Sequence, residues 1–130
     1  MNAHILDLIP RKVCDFDDKI AQASVTAGST SSVVSFRTKM GKQAYLVAIS
    51  TAIDSAGVAN VVYSLKQDTA KVWPYANLNV QISDPALWSF LPHPIPLNQN
   101  ALIELSFVNS GAAAYNCTGR VIIYYAEIDK

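Results

Sequence analysis

The chain has 130 residues, 51% of them apolar and 15% charged, with ten lysines and arginines balanced by ten aspartates and glutamates. A single domain of this length buries roughly two thirds of the surface its unfolded chain exposes, and the scattered cations form no stripe that could neutralise a row of phosphates, so nucleic acid is excluded as the expected partner. The charged fraction lies well below the about 25% usual for globular proteins, and an electroneutral, weakly charged surface favours permanent assembly, because charge is what keeps small domains apart.

Residues 1–19 read as an N-terminal arm. A short apolar stretch (Ile5, Leu6, Leu8, Ile9) precedes Pro10, and a charge-rich piece follows with Arg11, Lys12, Asp15, Asp17, Asp18 and Lys19. Such an amphiphilic terminus is ordered only when it is tied down, either as a first strand on its own sandwich or as an extension docked on a neighbouring subunit. The start Met1-Asn2-Ala3-His4 has no secretory pattern, and no apolar run approaches the roughly 18 residues of a membrane helix. The expectation is synthesis in a cytoplasm and no membrane partner. Cys14 and Cys117 are too few for a disulfide framework or a Cys-x-x-Cys metal site, and both read as buried free thiols.

From residue 20 to 130 the chain reads as one β-sandwich domain. Val33-Val34-Ser35-Phe36-Arg37 is a short β-branched run that turns at Met40-Gly41-Lys42 into Ala44–Ile53, where Tyr45, Val47, Ile49 and Ile53 are expected on one face and Ala48, Ser50 and Ala52 on the other. Asn60–Asp68 alternates Val61, Tyr63 and Leu65 against Val62, Ser64 and Lys66. Asn77–Ile82 alternates likewise, with Leu78, Val80 and Ile82 apolar. Ala101–Asn109 sets Ile103, Leu105 and Phe107 opposite Glu104 and Ser106, and Gly119–Ile128 is a long closing strand. With the segment near Ala21–Ala27, this makes seven or eight strands and no amphipathic helix: an all-β, two-layer antiparallel sandwich.

Two connections are too apolar for ordinary loops. One is Val72-Trp73-Pro74-Tyr75; the other runs from Asp84 through Trp88, Phe90 and Leu91 to Pro96, and Pro85, Pro92, Pro94 and Pro96 bar it from a central strand. These side chains could plug the open end of the core. They could equally anchor a subunit interface, where rigid aromatic residues dominate the desolvated centre. Beside Asn77, Asn79 and Gln81 they could also stack on a sugar. The candidate interface residues are therefore Trp73, Tyr75, Trp88, Phe90 and Leu91, with Ile5, Leu6, Leu8 and Ile9 of the arm.

No catalytic constellation is legible. His4 lies in the arm and His93 between prolines, neither on a rigid strand that would hold a general base. Asp15 and Asp17 could project together toward a hard cation but lack the other ligands of a calcium loop. Glu104 and Glu127 raise the geometry of a glycosidase pair without a cleft, and no glycine spacing makes a phosphate loop. The expectation is a protein that is not an enzyme and that binds no cofactor or metal.

The succession Ser35-Phe36-Arg37 into Tyr45-Leu46-Val47-Ala48-Ile49, then Leu102–Asn109 and Gly119–Tyr125 joined by a loop of small residues, resembles the small jelly-roll structural proteins of virions. It is most similar to the capsid decoration, or cement, proteins of tailed bacteriophages, over about residues 20–128. The resemblance implies an eight-stranded jelly-roll, no cofactor, and a homo-oligomer with a trimer favoured. It further implies a terminal arm clasping the shell, the major capsid protein as partner, and a place on the capsid surface after assembly in the host cytoplasm. The alternative is a carbohydrate-binding or receptor-binding module of a head fibre or tail.

Overall fold

A computed structural model describes residues 8–10, 12–53, 59–80 and 90–128. Its strands are β1 (Val13–Val25), β2 (Thr30–Arg37), β3 (Lys42–Ile53), β4 (Val61–Gln67), β5 (Ala70–Lys71), β6 (Leu78–Asn79), β7 (Phe90–Leu97), β8 (Leu102–Asn109) and β9 (Tyr115–Glu127). They form two antiparallel sheets in the orders β1-β9-β3-β7 and β2-β8-β4-β5, with β6 also paired to β4. The fold is thus the all-β sandwich the alternation predicts. Because β5 and β6 lie along the same edge of β4, opposite Lys66–Gln67 and Val62–Tyr63, they are two pieces of one edge strand. The chain changes sheet at each step from β1 to β4 and again from β7 to β9, which is the winding of a jelly-roll.

Period-two alternation puts the core between the sheets. Ile103, Leu105 and Phe107 of β8 face Val121, Ile123 and Tyr125 of β9, all fully buried, and each such side chain contributes roughly 1.5–3 kcal/mol by leaving water. Gly119 permits the close approach of the two sheets. A Cβ at that position would lie 2.4 Å from Leu105 Cδ2, and the surrounding core leaves Leu105 nowhere to go.

In β3 the alternation expected from the sequence is broken. The register with β9 shifts between Leu46 and Ala48, so Val47 is an extra residue and the parity reverses across it. Ala44 and Leu46, and then Ile53, belong to the main core, and Ile49 packs against it, whereas Tyr45, Val47 and Ala48 form a second cluster with Ile9, Ile122 and Ala126 on the outer face of the same sheet. Tyr45 therefore does not share a face with Ile49 and Ile53, as a uniform alternation requires. One bulged residue moves every later side chain to the opposite side.

The N-terminal segment divides differently from the sequence grouping. β1 starts at Val13 and pairs continuously with β9 from Asp15↔Tyr125 to Val25↔Tyr115, so residues 13–19 lie in the sheet. Cys14 is exposed, at the irregular start of this edge strand, and is not the buried thiol expected. Cys117 is buried, opposite Ala23 at the far end of the same ladder.

Candidate functional site: an extruded tryptophan on a broken sheet edge

β4 turns into β5 through Asp68-Thr69, and the edge strand then runs back along β4 toward β6. It is interrupted at Leu65. The Val72 N–H donates to the Leu65 carbonyl at 2.8 Å and the Leu65 N–H donates to the Tyr75 carbonyl at 2.9 Å, so one residue of β4 holds both sides of the interruption. Between these bonds the Tyr75 N–H donates to the Val72 carbonyl at 2.8 Å, and Trp73-Pro74, joined by a cis peptide bond, forms the two central residues of a type VI turn. The turn is pushed out of the sheet.

The consequences for its two aromatic residues are opposite. Tyr75 packs back on the main core, and burial raises its phenol above the ordinary value. Trp73 is 83% exposed, the largest exposure among the large apolar side chains of the described residues. Beside it, Lys71 Nζ donates to Asn77 Oδ1 at 3.0 Å, and the Asn77 N–H donates to Ser64 Oγ at 2.8 Å. The Asn77 amide oxygen, which the sequence offers for sugar recognition, is thus used to brace the turn.

The second apolar connection also ends in an edge strand. Phe90–Leu97 is β7, at the border of its sheet, and not a loop as far as Pro96. Ala48 pairs with Phe90 while Leu46 pairs with Ile95, so Leu91-Pro92-His93-Pro94 stands opposite Val47 alone as a wide bulge. Prolines are tolerated there because an edge position or a bulge needs no donor. Phe90 meets Tyr124 edge-on at 5.9 Å between ring centroids, and Leu91 packs against both apolar clusters. Both side chains are half-buried in their own fold.

Of the remaining candidates, Ile9 is buried against the outer face of the β1-β9-β3-β7 sheet and Leu8 is exposed. Ile5, Leu6, Trp88 and His4 lie outside the described residues, as does the Asp84–Ser89 part of the second connection. The polar candidates are separated. Glu104 accepts a hydrogen bond from Ser32 Oγ at 2.7 Å in one sheet, while Glu127 ends β9 in the other sheet, opposite Lys42.

Asp15 and Asp17 do converge, but on cations and a phenol supplied by the chain itself. Lys39 Nζ is hydrogen-bonded to Asp15 and lies 4.0 Å from Asp17 Oδ1; Lys42 Nζ is 3.8 Å from Asp15. Tyr125 Oη donates to Asp17 Oδ2 at 2.6 Å, and the Lys39 ammonium sits 5.0 Å from the centre of the Tyr125 ring. The hydrogen bond from Lys39 holds the Asp15 carboxyl below its usual range, and the same bond raises Lys39. Burial, followed by the bond to Asp17, raises the Tyr125 phenol.

Sequence inspection missed Phe16 and Ile20. Both are exposed on the outer face of β1, with Asp18 between them bonded by Arg120 through Nε at 2.8 Å and Nη2 at 2.5 Å. The only signal for them is their spacing of four across the boundary at which the charged arm, with Phe16, gives way to the sandwich domain that begins at Ile20. Neither a protein-family model nor a curated protein matches the chain.

Proposed function

We propose that this domain is a virion structural protein, a capsid decoration protein that binds the capsid exterior and stabilises it by bridging major capsid subunits, with Trp73 as its anchor. The observation that carries the reading is the exposure of Trp73 at the apex of a turn extruded from a sheet edge. Keeping an indole in water costs apolar burial. A rigid turn then gives that burial back on docking with little loss of conformational entropy. The charged fraction of the whole chain is only 15%, and such anchors concentrate binding energy at the centre of protein contacts.

The test is co-sedimentation of the purified chain with tailed-phage heads assembled without their decoration protein, alongside a glycan array. Retention on the heads is expected, and Trp73→Ala should weaken it at least about tenfold, the scale of a hot-spot residue, while leaving the melting temperature unchanged. Retention indifferent to Trp73→Ala, or no retention on any head, overturns the proposal. Glycan binding that disappears with the same substitution replaces it by the carbohydrate-binding reading.

A further inference from the structure

The sandwich has four edge positions, and they are not alike. The β5/β6 edge is interrupted by the Trp73 turn, β7 carries the proline bulge, and β2 shifts register at Val33. These are the devices by which sheets avoid pairing with other chains. β1 lacks them: from Asp15 to Val25 it is regular, and among the described residues its ladder partner is β9 on one side only.

Charge is the other common protection of an edge, and here the carboxylates of the strand are engaged by groups of the same chain. Asp15 is engaged by Lys39, Asp17 by the Tyr125 hydroxyl and Asp18 by Arg120. Lys19 lies 5.9 Å from the centre of the Phe36 ring. What the edge presents on its outer face is Phe16, 61% exposed, and Ile20, 57% exposed. Phe16 borders a mostly apolar hollow of about 450 Å³, lined by Val13, Cys14, Ile122 and Tyr124 with Asp15 and Asp18 at its polar part.

We infer that β1 pairs antiparallel with β1 of a second copy of this chain, about a two-fold axis through Asp18. The sequence of the strand selects this register. With residue 18 opposite itself, Phe16 faces Ile20 of the copy and Ile20 faces its Phe16 on the outer side, while Asp17 faces Lys19 and Lys19 faces Asp17 on the inner side. Apolar and opposite-charge pairs are the favourable cross-strand combinations. Centring the pair on residue 17 sets Asp17 against Asp17 and Phe16 against Asp18; centring it on 19 sets Lys19 against Lys19; centring it on 20 leaves Phe16 opposite Ser24. In the chosen register only Asp18 meets its own kind, and each copy of it is neutralised by its own Arg120.

Such an isologous contact is satisfied at both ends by one strand, and it joins the two β1-β9-β3-β7 sheets into a continuous eight-stranded sheet. Of the exposed side chains of the underlying edge strand β2, Thr30, Ser32 and Ser35 are small, and the one large one, Arg37, is at the strand's end. β1 and β2 border the same side of the sandwich, since they are sheet-end strands in contact. The opposite side, with β7 and the Trp73 turn, stays uncovered. The dimer would therefore carry two Trp73 turns on its outward sides, which suits bridging, though the pairing itself does not depend on the capsid reading.

Light scattering on the full-length chain in micromolar solution should give twice the 14.1 kDa mass of one chain. Ile20→Lys should return it to a single-chain mass with an unchanged circular dichroism spectrum. In a Cys14→Ser background, Asp18→Cys should form a disulfide-linked dimer on mild oxidation and Ser24→Cys should not. A monomer or a trimer of the unmodified chain overturns the inference, as does a dimer indifferent to Ile20→Lys. Crosslinking through residue 24 in place of 18 overturns the register.

Discussion

Thr69 and Asp68 make the two-residue connection between Gln67 and Ala70, which face one another at the end of the β4–β5 ladder. Both have positive φ, 49° at Asp68 and 73° at Thr69, the signature of a type I′ hairpin turn. Aspartate tolerates this region, and Asp68 also accepts the Leu102 N–H through Oδ1 at 2.9 Å. Threonine is β-branched and poorly suited to it. Thr69→Gly removes the steric cost of the left-handed conformation and is expected to stabilise the fold by about 1 kcal/mol. Urea unfolding would register this as a higher midpoint at unchanged slope; a lower midpoint would show that the Thr69 side chain contributes something its exposed position does not suggest.

At the scale of elements, one buried side chain ties the end of a strand to a distant loop through three hydrogen bonds. Asn109, at the end of β8, donates through Nδ2 to the carbonyls of Val25 at 3.0 Å and Ala113 at 2.7 Å, and accepts the Gly111 N–H on Oδ1 at 2.9 Å. It thereby joins the end of β1 to the small-residue loop that leads into β9. Asn109→Ala leaves buried backbone groups without partners and is expected to cost about 1–3 kcal/mol, more than the net value of one hydrogen bond. A loss below about 0.5 kcal/mol in thermal or urea unfolding would mean that water replaces the amide. The same position reads in the sequence as the polar end of a strand. Its role depends on Val25, which is remote in the chain and brought near only by the winding of the sheets.

Among the described residues the ion pairs join Asp15, Asp17 and Asp18 of β1 to Lys39 in the turn after β2, Lys42 at the start of β3 and Arg120 of β9, and they shape the response of the whole molecule to pH. Asp18 is lowered chiefly by the hydrogen bond from Arg120 and Asp15 by that from Lys39, both from an ordinary value of 3.8. Below that value the unfolded chain binds more protons than the native one, so the stabilisation present above it is lost as pH falls through the lower folded-state values. Lys39 and Tyr125 are raised. Their contribution is complete below the unfolded values of 10.5 and 10.0 and disappears as pH rises past the folded ones. The melting temperature should therefore decline below about pH 4 and again above about pH 10, and Asp18→Asn should flatten the acid limb. An acid limb that is unchanged in Asp18→Asn would show that the Arg120 pair is too well solvated to matter.

Strand identity and facing were legible wherever alternation runs undisturbed. In β8 the inward set Ile103, Leu105 and Phe107 follows from local sequence, since successive side chains of an extended backbone point to opposite sides whatever surrounds them; in β9 the unbroken apolar run 121–125 marks the strand but not its facing, and only the packing of the sheets selects Val121, Ile123 and Tyr125 as inward. The all-β class and the two-layer sandwich follow from the number of such runs. The bulge at Val47, the out-turned Trp73 and the pairing of Asp15 with Lys39 do not, because each depends on which strand lies alongside. Strand order is a long-range property, decided by the closure of the core as a whole, and it alone determines that β1 has a regular open edge while β7 and β5/β6 have broken ones. The residue types at the candidate surface were thus contained in the chain, and their exposure was decided by its winding.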